Sequence, residues 1–294
     1  MNTNMSGNTT GGLYTVWNSA KKAPKKIAGK INFYKSSGKG SAPKIIERIC
    51  KKDRHAHISV YGGDGSVYEA CNAIMKSGES ETVTLTIVPS GTGNDFIKNF
   101  DKKNPRKRKI DLIKFNGNYS ANEINMGYDC DVVIATDKIK KLPFVKGGIA
   151  YILGVISTFF KPLGKNFEFE YVSETGAKGR VRGKLLLCII ANGAYYGGGF
   201  KCAPRAKVDD GLLELIYVKP LDRLTFINFI GAYKSGKHIL ENGEIPKKFR
   251  DYIVYKRVKS VTMKKVGTLC ADGEIISAGN VSISIAPSAI TLYN

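Results

Sequence analysis

Two glycine-rich loops, placed one strand apart, constrain this chain more than any other feature. The first, Gly62-Gly63-Asp64-Gly65-Ser66, follows an apolar run at residues 57–61 and leads into a helical stripe of Val67, Cys71, Ile74 and Met75. The second, Pro89-Ser90-Gly91-Thr92-Gly93-Asn94-Asp95, follows apolar residues 85–88 and opens a helical pattern at residues 95–100. Glycines let a backbone turn tightly and bring its N–H groups close to a phosphate, which the positive end of the following helix also attracts. One such loop reads equally well as an ordinary tight turn. Two at adjacent strand ends point to a nucleotide site at the carboxyl edge of a parallel sheet. Neither loop has the GxxxxGK[ST] or GxGxxG spacing, which argues against the commonest NTPase and dehydrogenase classes.

Around these loops the first third of the chain alternates strand and helix signals, beginning with an apolar run at residues 31–34 and a periodic segment at 42–50. That is the βαβ rhythm of a parallel sheet covered by helices. Ser66 and Glu69 have capping-box spacing and predict where the second helix starts. A basic, proline-containing run at 102–109 then breaks the pattern. Beyond it come short alternating strands at 166–172, 184–191, 212–218 and 258–263, a helical stretch at 224–240 and a last strand at 289–293. The reading divides the chain into an α/β nucleotide-binding domain at residues 1–115, completed by 285–294, and a mainly β, sandwich-like domain at 116–284.

Lys and Arg number 46 against 25 Asp and Glu, a formal charge of +21 that directs a strong positive field toward anionic partners. Six cysteines without a CxxC pair suit buried thiols in a reducing compartment, so a cytoplasmic location is expected. The polar N-terminus lacks the pattern of a secretion signal. The most apolar stretch, residues 142–163, is broken by Lys146, Lys161 and two prolines. It reads as helix pieces buried in protein or lying at an interface, not as a membrane span.

Taken together, Gly62-Gly63-Asp64-Gly65-Ser66 with Glu69 and Asn72, then Pro89 to Phe96, resemble the catalytic domain shared by diacylglycerol, sphingosine and ceramide kinases. The likeness continues through Asn125-Met126-Gly127-Tyr128-Asp129-Cys130, Gly197-Gly198-Gly199-Phe200, Asp209-Asp210-Gly211-Leu212 and Ala271-Asp272-Gly273-Glu274, in the family's order. What the resemblance implies is an α/β fold of the NAD kinase and diacylglycerol kinase type, with a catalytic cleft between a nucleotide domain and a β-rich lipid-substrate domain. It implies ATP and Mg2+ as cofactors, held by Ser36, Gly62, Gly63, Asp64, Gly65, Ser66, Glu69, Gly91, Thr92, Gly93, Asn94 and Asp95. Asp272 would take the proton of the lipid hydroxyl and Glu274 would support the site. A structural magnesium would sit on Asp210 and the carbonyls of Lys207 and Leu212.

Phosphoryl transfer depends on positioning, charge neutralisation and a base near the nucleophile, and these residue types supply all three. Without the other blocks, Asp272-Gly273-Glu274 would be a hairpin turn with solvated acids. One departure stands out. The family's first strand ends in NPxSG, whereas here no strand precedes Ser6-Gly7 and Asn4 replaces the proline, so the chain is expected to begin inside the fold.

The expected activity is phosphorylation of diacylglycerol by ATP. Alternatives are another lipid alcohol such as a sphingoid base or phosphatidylglycerol, NAD, or a non-catalytic nucleotide- or nucleic-acid-binding role. The lack of clustered aromatics argues against nucleic acid as a partner. Peripheral association with an anionic membrane is expected from the charge, and a homodimer stays open.

Overall fold

The computed structural model describes residues 12–18, 31–37, 40–139, 142, 148–161 and 163–294. In the first part, strands β1 (Leu13–Asn18), β2 (Ile31–Ser36), β3 (His57–Gly62) and β4 (Thr84–Pro89) run parallel in the order β4-β3-β1-β2. Helices α1 (Ser41–Lys52) and α2 (Asp64–Ser77) make the crossovers. Their buried faces, Ile46, Ile49 and Cys50 from α1 and Val67, Cys71 and Ile74 from α2, pack with Val16, Ile58, Val60 and Leu85 from the strands. Strand β1, which was not expected from the sequence, precedes the run at residues 31–34. It pairs β2 on one side and β3 on the other, so the sheet is continuous up to β2. Ser6 and Gly7 lie outside the described residues.

The chain continues through β5 (Lys107–Phe115), β6 (Asn118–Ser120), β7 (Glu123–Gly127), α3 (Tyr128–Ile139), α4 (Gly148–Phe159), β8 (Lys165–Ser173), β9 (Lys178–Leu185) and β10 (Leu187–Ala191). It ends with β11 (Leu213–Val218), α5 (Arg223–Ser235), β12 (Ile253–Met263), β13 (Gly267–Ala271), β14 (Glu274–Ala278) and β15 (Val281–Tyr293). These strands pair antiparallel in the order β14-β13-β7-β10-β11-β12-β15. Side chains alternate across such a sheet, and β10 shows the consequence. Leu187, Ile189 and Ala191 pack with Phe226, Phe229 and Tyr233 of α5, while Cys188 and Ile190 face Phe169, Val261 and Leu269. All six cysteines are buried free thiols.

Strand β15 joins the two regions. Its residues 281–284 pair antiparallel with β12, its residues 291–293 pair parallel with β4, and β5 runs antiparallel along its other edge. The expected short strand at 289–293 is therefore the end of a 13-residue element. Between Ala286 and Ile290 the register shifts at a bulge, where Ser288 has φ 51 and donates its N–H to Asp111 Oδ1 at 2.7 Å. Asp111 Oδ2 accepts from Gly211 N at 2.7 Å, so one buried carboxylate ties β5, the bulge and the 208–211 turn.

The expected helix at 224–240 ends earlier, at Ser235, because Gly236 takes the left-handed conformation and closes it. Among the described residues no helix is long and apolar enough to cross a membrane.

Helix α3 is tied to α5 by a buried hydrogen bond from the Tyr233 hydroxyl to Asp129 Oδ2 at 2.9 Å. Burial pushes Asp129 up to about 6, against the pull of Tyr196 and Tyr233. The folded state therefore holds this proton more tightly than the unfolded chain. The stability it contributes is complete below about pH 4 and lost as pH rises through about 6. Thermal melts of Asp129→Asn are expected to fall less than those of the parent between pH 4 and 7. Parallel losses would show that this carboxyl does not set the pH dependence.

Candidate active site

The two glycine loops leave β3 and β4 side by side and touch backbone to backbone. A Cβ on Gly63 would lie 2.9 Å from Gly91 Cα, and a Cβ on Gly91 would fall well inside contact with Gly63 Cα and 2.9 Å from Asn94 Oδ1. Gly63 has φ −104, so close approach, and not a left-handed backbone, is what demands glycine there. The capping box predicted from Ser66 and Glu69 does not form. Helix α2 begins three residues earlier, at Asp64, with Gly63 at the cap, and Ser66 lies inside the first turn. Glu69 Oε1 instead accepts from Gly40 N at 3.1 Å, fastening the loop after β2 to α2. Ser36 is buried at the end of β2, opposite Asn18 of β1.

In the second loop, Asn94 adopts φ 50 and spends its amide on Gly91. Its Oδ1 accepts from Gly91 N and its Nδ2 donates to Gly91 O, both at 2.8 Å. Asn94 thus shapes the loop, whereas Thr92 is exposed at its tip. Asp95, expected to hold the nucleotide, is occupied otherwise. Its Oδ1 pairs with Lys98 Nζ at 2.5 Å and its Oδ2 accepts from Gly198 N at 2.7 Å, linking the loop to the glycine turn before Phe200.

Asp64 Oδ1 accepts from Phe96 N at 3.0 Å. A Cβ on Gly93 would lie 2.9 Å from Asp64 Oδ2 and 3.3 Å from Asp95 Oδ2, so the two carboxylates flank Gly93. Burial raises the Asp64 carboxyl, and Asp95 adds to the shift.

From the other side, the β13–β14 turn brings Asp272 and Glu274 over α2. A Cβ on Gly65 would sit 3.5 Å from Glu274 Oε1. Tyr68, one turn further along α2, has its hydroxyl pushed up to about 12 by burial and by the nearby charges of Asp272 and Glu274. Asn72, another turn on, accepts from Tyr119 N at 2.9 Å and donates to Tyr119 O at 2.7 Å. The i, i+3, i+7 face of α2, Gly65, Tyr68 and Asn72, therefore lies along the second region.

Asp272 is 7% exposed and anchors a whole turn. Its Oδ1 accepts from Ser120 Oγ at 2.7 Å, Asn122 N at 2.9 Å and Glu123 N at 3.0 Å, and its Oδ2 accepts from Ala121 N at 2.7 Å. Burial pushes the carboxyl up to about 6 while these donors pull it down. Sequence reasoning missed the Ser120–Glu123 partners, which lie 149–152 residues away and carry no local signal. An asparagine at 272 would turn an N–H2 toward N–H donors, so it would not be a conservative substitute here.

The expected magnesium position does not fit this chain. Asp210 Oδ2 is paired with Arg257 Nη2, and its Oδ1 accepts from Leu212 N at 3.2 Å, so both carboxylate oxygens are already engaged. Arg257 also reaches Glu174 Oε2 at 3.2 Å and buried Glu214 Oε1 at 3.5 Å. Lys207 acts on Asp210 only as a nearby positive charge. The guanidinium supplies the cation that three carboxylates surround. Among the described residues no group of three or more His, Cys, Asp or Glu side chains is arranged to hold a metal.

Comparison with known proteins gives two family matches that together span nearly the chain. The diacylglycerol kinase catalytic domain matches residues 4–124, and the YegS C-terminal NAD kinase beta sandwich-like domain matches residues 122–294. A protein of Shewanella frigidimarina described as "Probable lipid kinase YegS-like" is 32% identical over 60% of this chain and 58% of its own length. One of Alcanivorax borkumensis with the same description is 32% identical over 55% of this chain. The chain thus spans a little over half the length of these two relatives, 58% and 54%. A third, from Pseudomonas syringae pv. syringae, is 29% identical over 86% of this chain and 80% of its own length. The fold is shared with a solved structure titled as a diacylglycerol kinase of Bacillus anthracis str. Sterne, with a TM-score of 0.67, 22% identity and coverage of 97% of this chain and 98% of that one.

Two outcomes follow from the geometry. Gly91→Ala is expected to force the loops apart and cut ATP affinity more than about tenfold, with a stability loss of about 1–3 kcal/mol. Gly65→Ala meets Glu274 only at ordinary contact distance and should melt within about 1 kcal/mol of the parent. Nucleotide titration alongside thermal melts checks the pair, and equal behaviour of the two variants would refute the loop packing. Arg257→Ala is expected to lower stability by about 2–4 kcal/mol by leaving Glu214 and Asp210 unpaired, while EDTA leaves the parent's melting temperature unchanged. A fall of several degrees in EDTA would mean that a bound cation shares the work of Arg257.

Proposed function

The chain belongs to the diacylglycerol kinase catalytic-domain family that carries the YegS-type C-terminal domain, and we propose that it transfers the γ-phosphate of ATP to the hydroxyl of a membrane lipid, diacylglycerol being the acceptor of choice. The observation that carries the reading is the meeting of the Gly62–Ser66 loop with Glu274. A phosphate-binding helix start and a carboxylate from the far region face each other across Gly65. The relatives' description as lipid kinases supports the same class of acceptor.

In this reading the triphosphate lies against the Gly62–Ser66 loop and the positive end of α2, with Thr92 at the tip of the second loop beside it. Asp64 and Glu274 are the carboxylates that would hold a magnesium ion, which when bound neutralises charge on the phosphate oxygens. Asp272 Oδ1 is saturated by three donors, but Oδ2 carries one, and this oxygen is assigned as the acceptor of the lipid hydroxyl proton. A carboxyl near 6 is mostly ionised at neutral pH and still accepts a proton in the transition state. The Ser120–Glu123 turn fixes the orientation of the base, Asn94 shapes the second loop, Asp95 ties it to the Gly198 turn, and Asp64 joins it to the first loop through Phe96 N.

The deciding experiment supplies labelled ATP with diacylglycerol, phosphatidylglycerol or a sphingoid base in mixed micelles, and with NAD as a competing acceptor. Label is expected in the lipid, highest in diacylglycerol. Turnover should rise with pH through about 6, because Asp272 must be ionised. Glu274→Gln is expected to melt like the parent and to lose about a hundredfold in kcat. Asp272→Asn should lose stability and ATP binding together with turnover, since it breaks the Ser120–Glu123 turn. Label in NAD alone, or in no acceptor, would overturn the reading.

A further inference from the structure

We infer that the exposed apolar face formed by α4 and the start of α5 docks this protein on an anionic membrane surface. On α4 and the residue that follows it, Ile149, Leu153, Ile156 and Phe160 are 61%, 40%, 50% and 73% exposed. Their spacing of i, i+4, i+7, i+11 puts them on one side of the helix. The opposite side is fixed in the protein. Ala150 and Thr158 are buried, Val155 and Phe159 pack into the core under α5, and Gly154 lets α4 close on Thr136 of α3 with no room for a Cβ. The apolar face therefore cannot roll inward.

The start of α5 extends it. Asp222 caps the helix through Leu224 N and Thr225 N, which leaves Leu224 and Ile227 standing out at 77% and 57% exposure. Arg223 bridges the two helices, its guanidinium 4.9 Å from the centre of the Phe159 ring and donating to Phe159 O. Six large apolar side chains in one surface, on a chain of formal charge +21, call for a partner that offers both an apolar phase and negative charge.

Charge decides the occupant. Arg223, Lys161, Lys219 and Lys234 are exposed on the same elements or their flanks. A second copy would bring another +21 against this one, whereas anionic headgroups neutralise the rim while acyl chains receive the apolar side chains. The face also connects to the candidate site. Helix α3, on which α4 packs, rests against β13 and β14, the hairpin whose turn carries Asp272. Action on a lipid is the premise that gives such a contact its purpose, but the contact can be measured without it.

The test is sedimentation with vesicles of phosphatidylcholine alone or mixed with phosphatidylglycerol, using the full chain and the triple variant Ile156→Gln, Phe160→Ser, Leu224→Gln. All three side chains are exposed, so the variant should melt like the parent, and circular dichroism verifies that. The parent is expected to bind mixed vesicles at least about tenfold more tightly than the variant or than neutral vesicles, with binding falling as salt rises. Lys161→Glu should lower binding to mixed vesicles alone. Turnover of lipid embedded in vesicles should fall with binding, while turnover of a short-chain, water-soluble diacylglycerol stays at the parental level. Equal sedimentation of parent and variant overturns the docking face whatever the kinase assay shows. Loss of a parental dimer in the variant, without change in vesicle binding, overturns it in favour of a second copy. Failure to phosphorylate the soluble lipid would count against the kinase reading and leave the vesicle result standing.

Discussion

The parts that face the glycine loops are held there by β15, which is antiparallel to β12 at one end and parallel to β4 at the other. Between these two pairings the register shifts at the bulge at residues 286–290, where extra residues are accommodated in the strand. The bulge takes the Ser288 N–H out of the strand ladder. Asp111 accepts it, and its other oxygen accepts from Gly211, so a single carboxylate fixes the relation between the parallel sheet and the 208–211 turn. The β13–β14 hairpin immediately precedes β15 in the chain. Its turn reaches α2 because β15 is anchored on β4.

Within the cleft, most of the polar residues that look chemical in sequence are engaged in holding loops. Asn94 closes on Gly91, Asp95 on Lys98 and Gly198, Glu69 on Gly40, and Asp272 on four donors of one turn. Such bonds fix the loop conformations, and a preorganised arrangement of this kind is what the proposed phosphoryl transfer would require. Two further carboxylates lie against the glycine loops, Asp64 Oδ2 beside Gly93 and Glu274 Oε1 beside Gly65.

The Arg257 cluster shows the same economy in a different place. A resident guanidinium is always charged and presents several donors in a plane, so it can satisfy Asp210, Glu174 and buried Glu214 at once. No local pattern in the Asp209-Asp210-Gly211-Leu212 block distinguishes a carboxylate awaiting a metal from one paired with an arginine 47 residues further on.

What the sequence determined by itself is what depends on neighbours along the chain. The glycine loops after β3 and β4, the amphipathic stripes of α1 and α2, and the ends of β4 and β8 follow from local periodicity and turn chemistry, and they are found within a residue or so of where those signals place them. Strand β1 was illegible because it lies among polar runs, and Tyr14, Thr15 and Val16 gain their burial only between β2 and β3. The length of β15 was illegible for a similar reason, since its bulge breaks the alternation that marks a strand. Tertiary structure alone decided the partners of Asp272, the ion pairs of Arg257 with Asp210, Glu174 and Glu214, and the approach of Glu274 to Gly65. Each joins residues that are far apart in sequence, and hydrogen bonds and ion pairs over such separations depend on sheet order and not on local conformational preference.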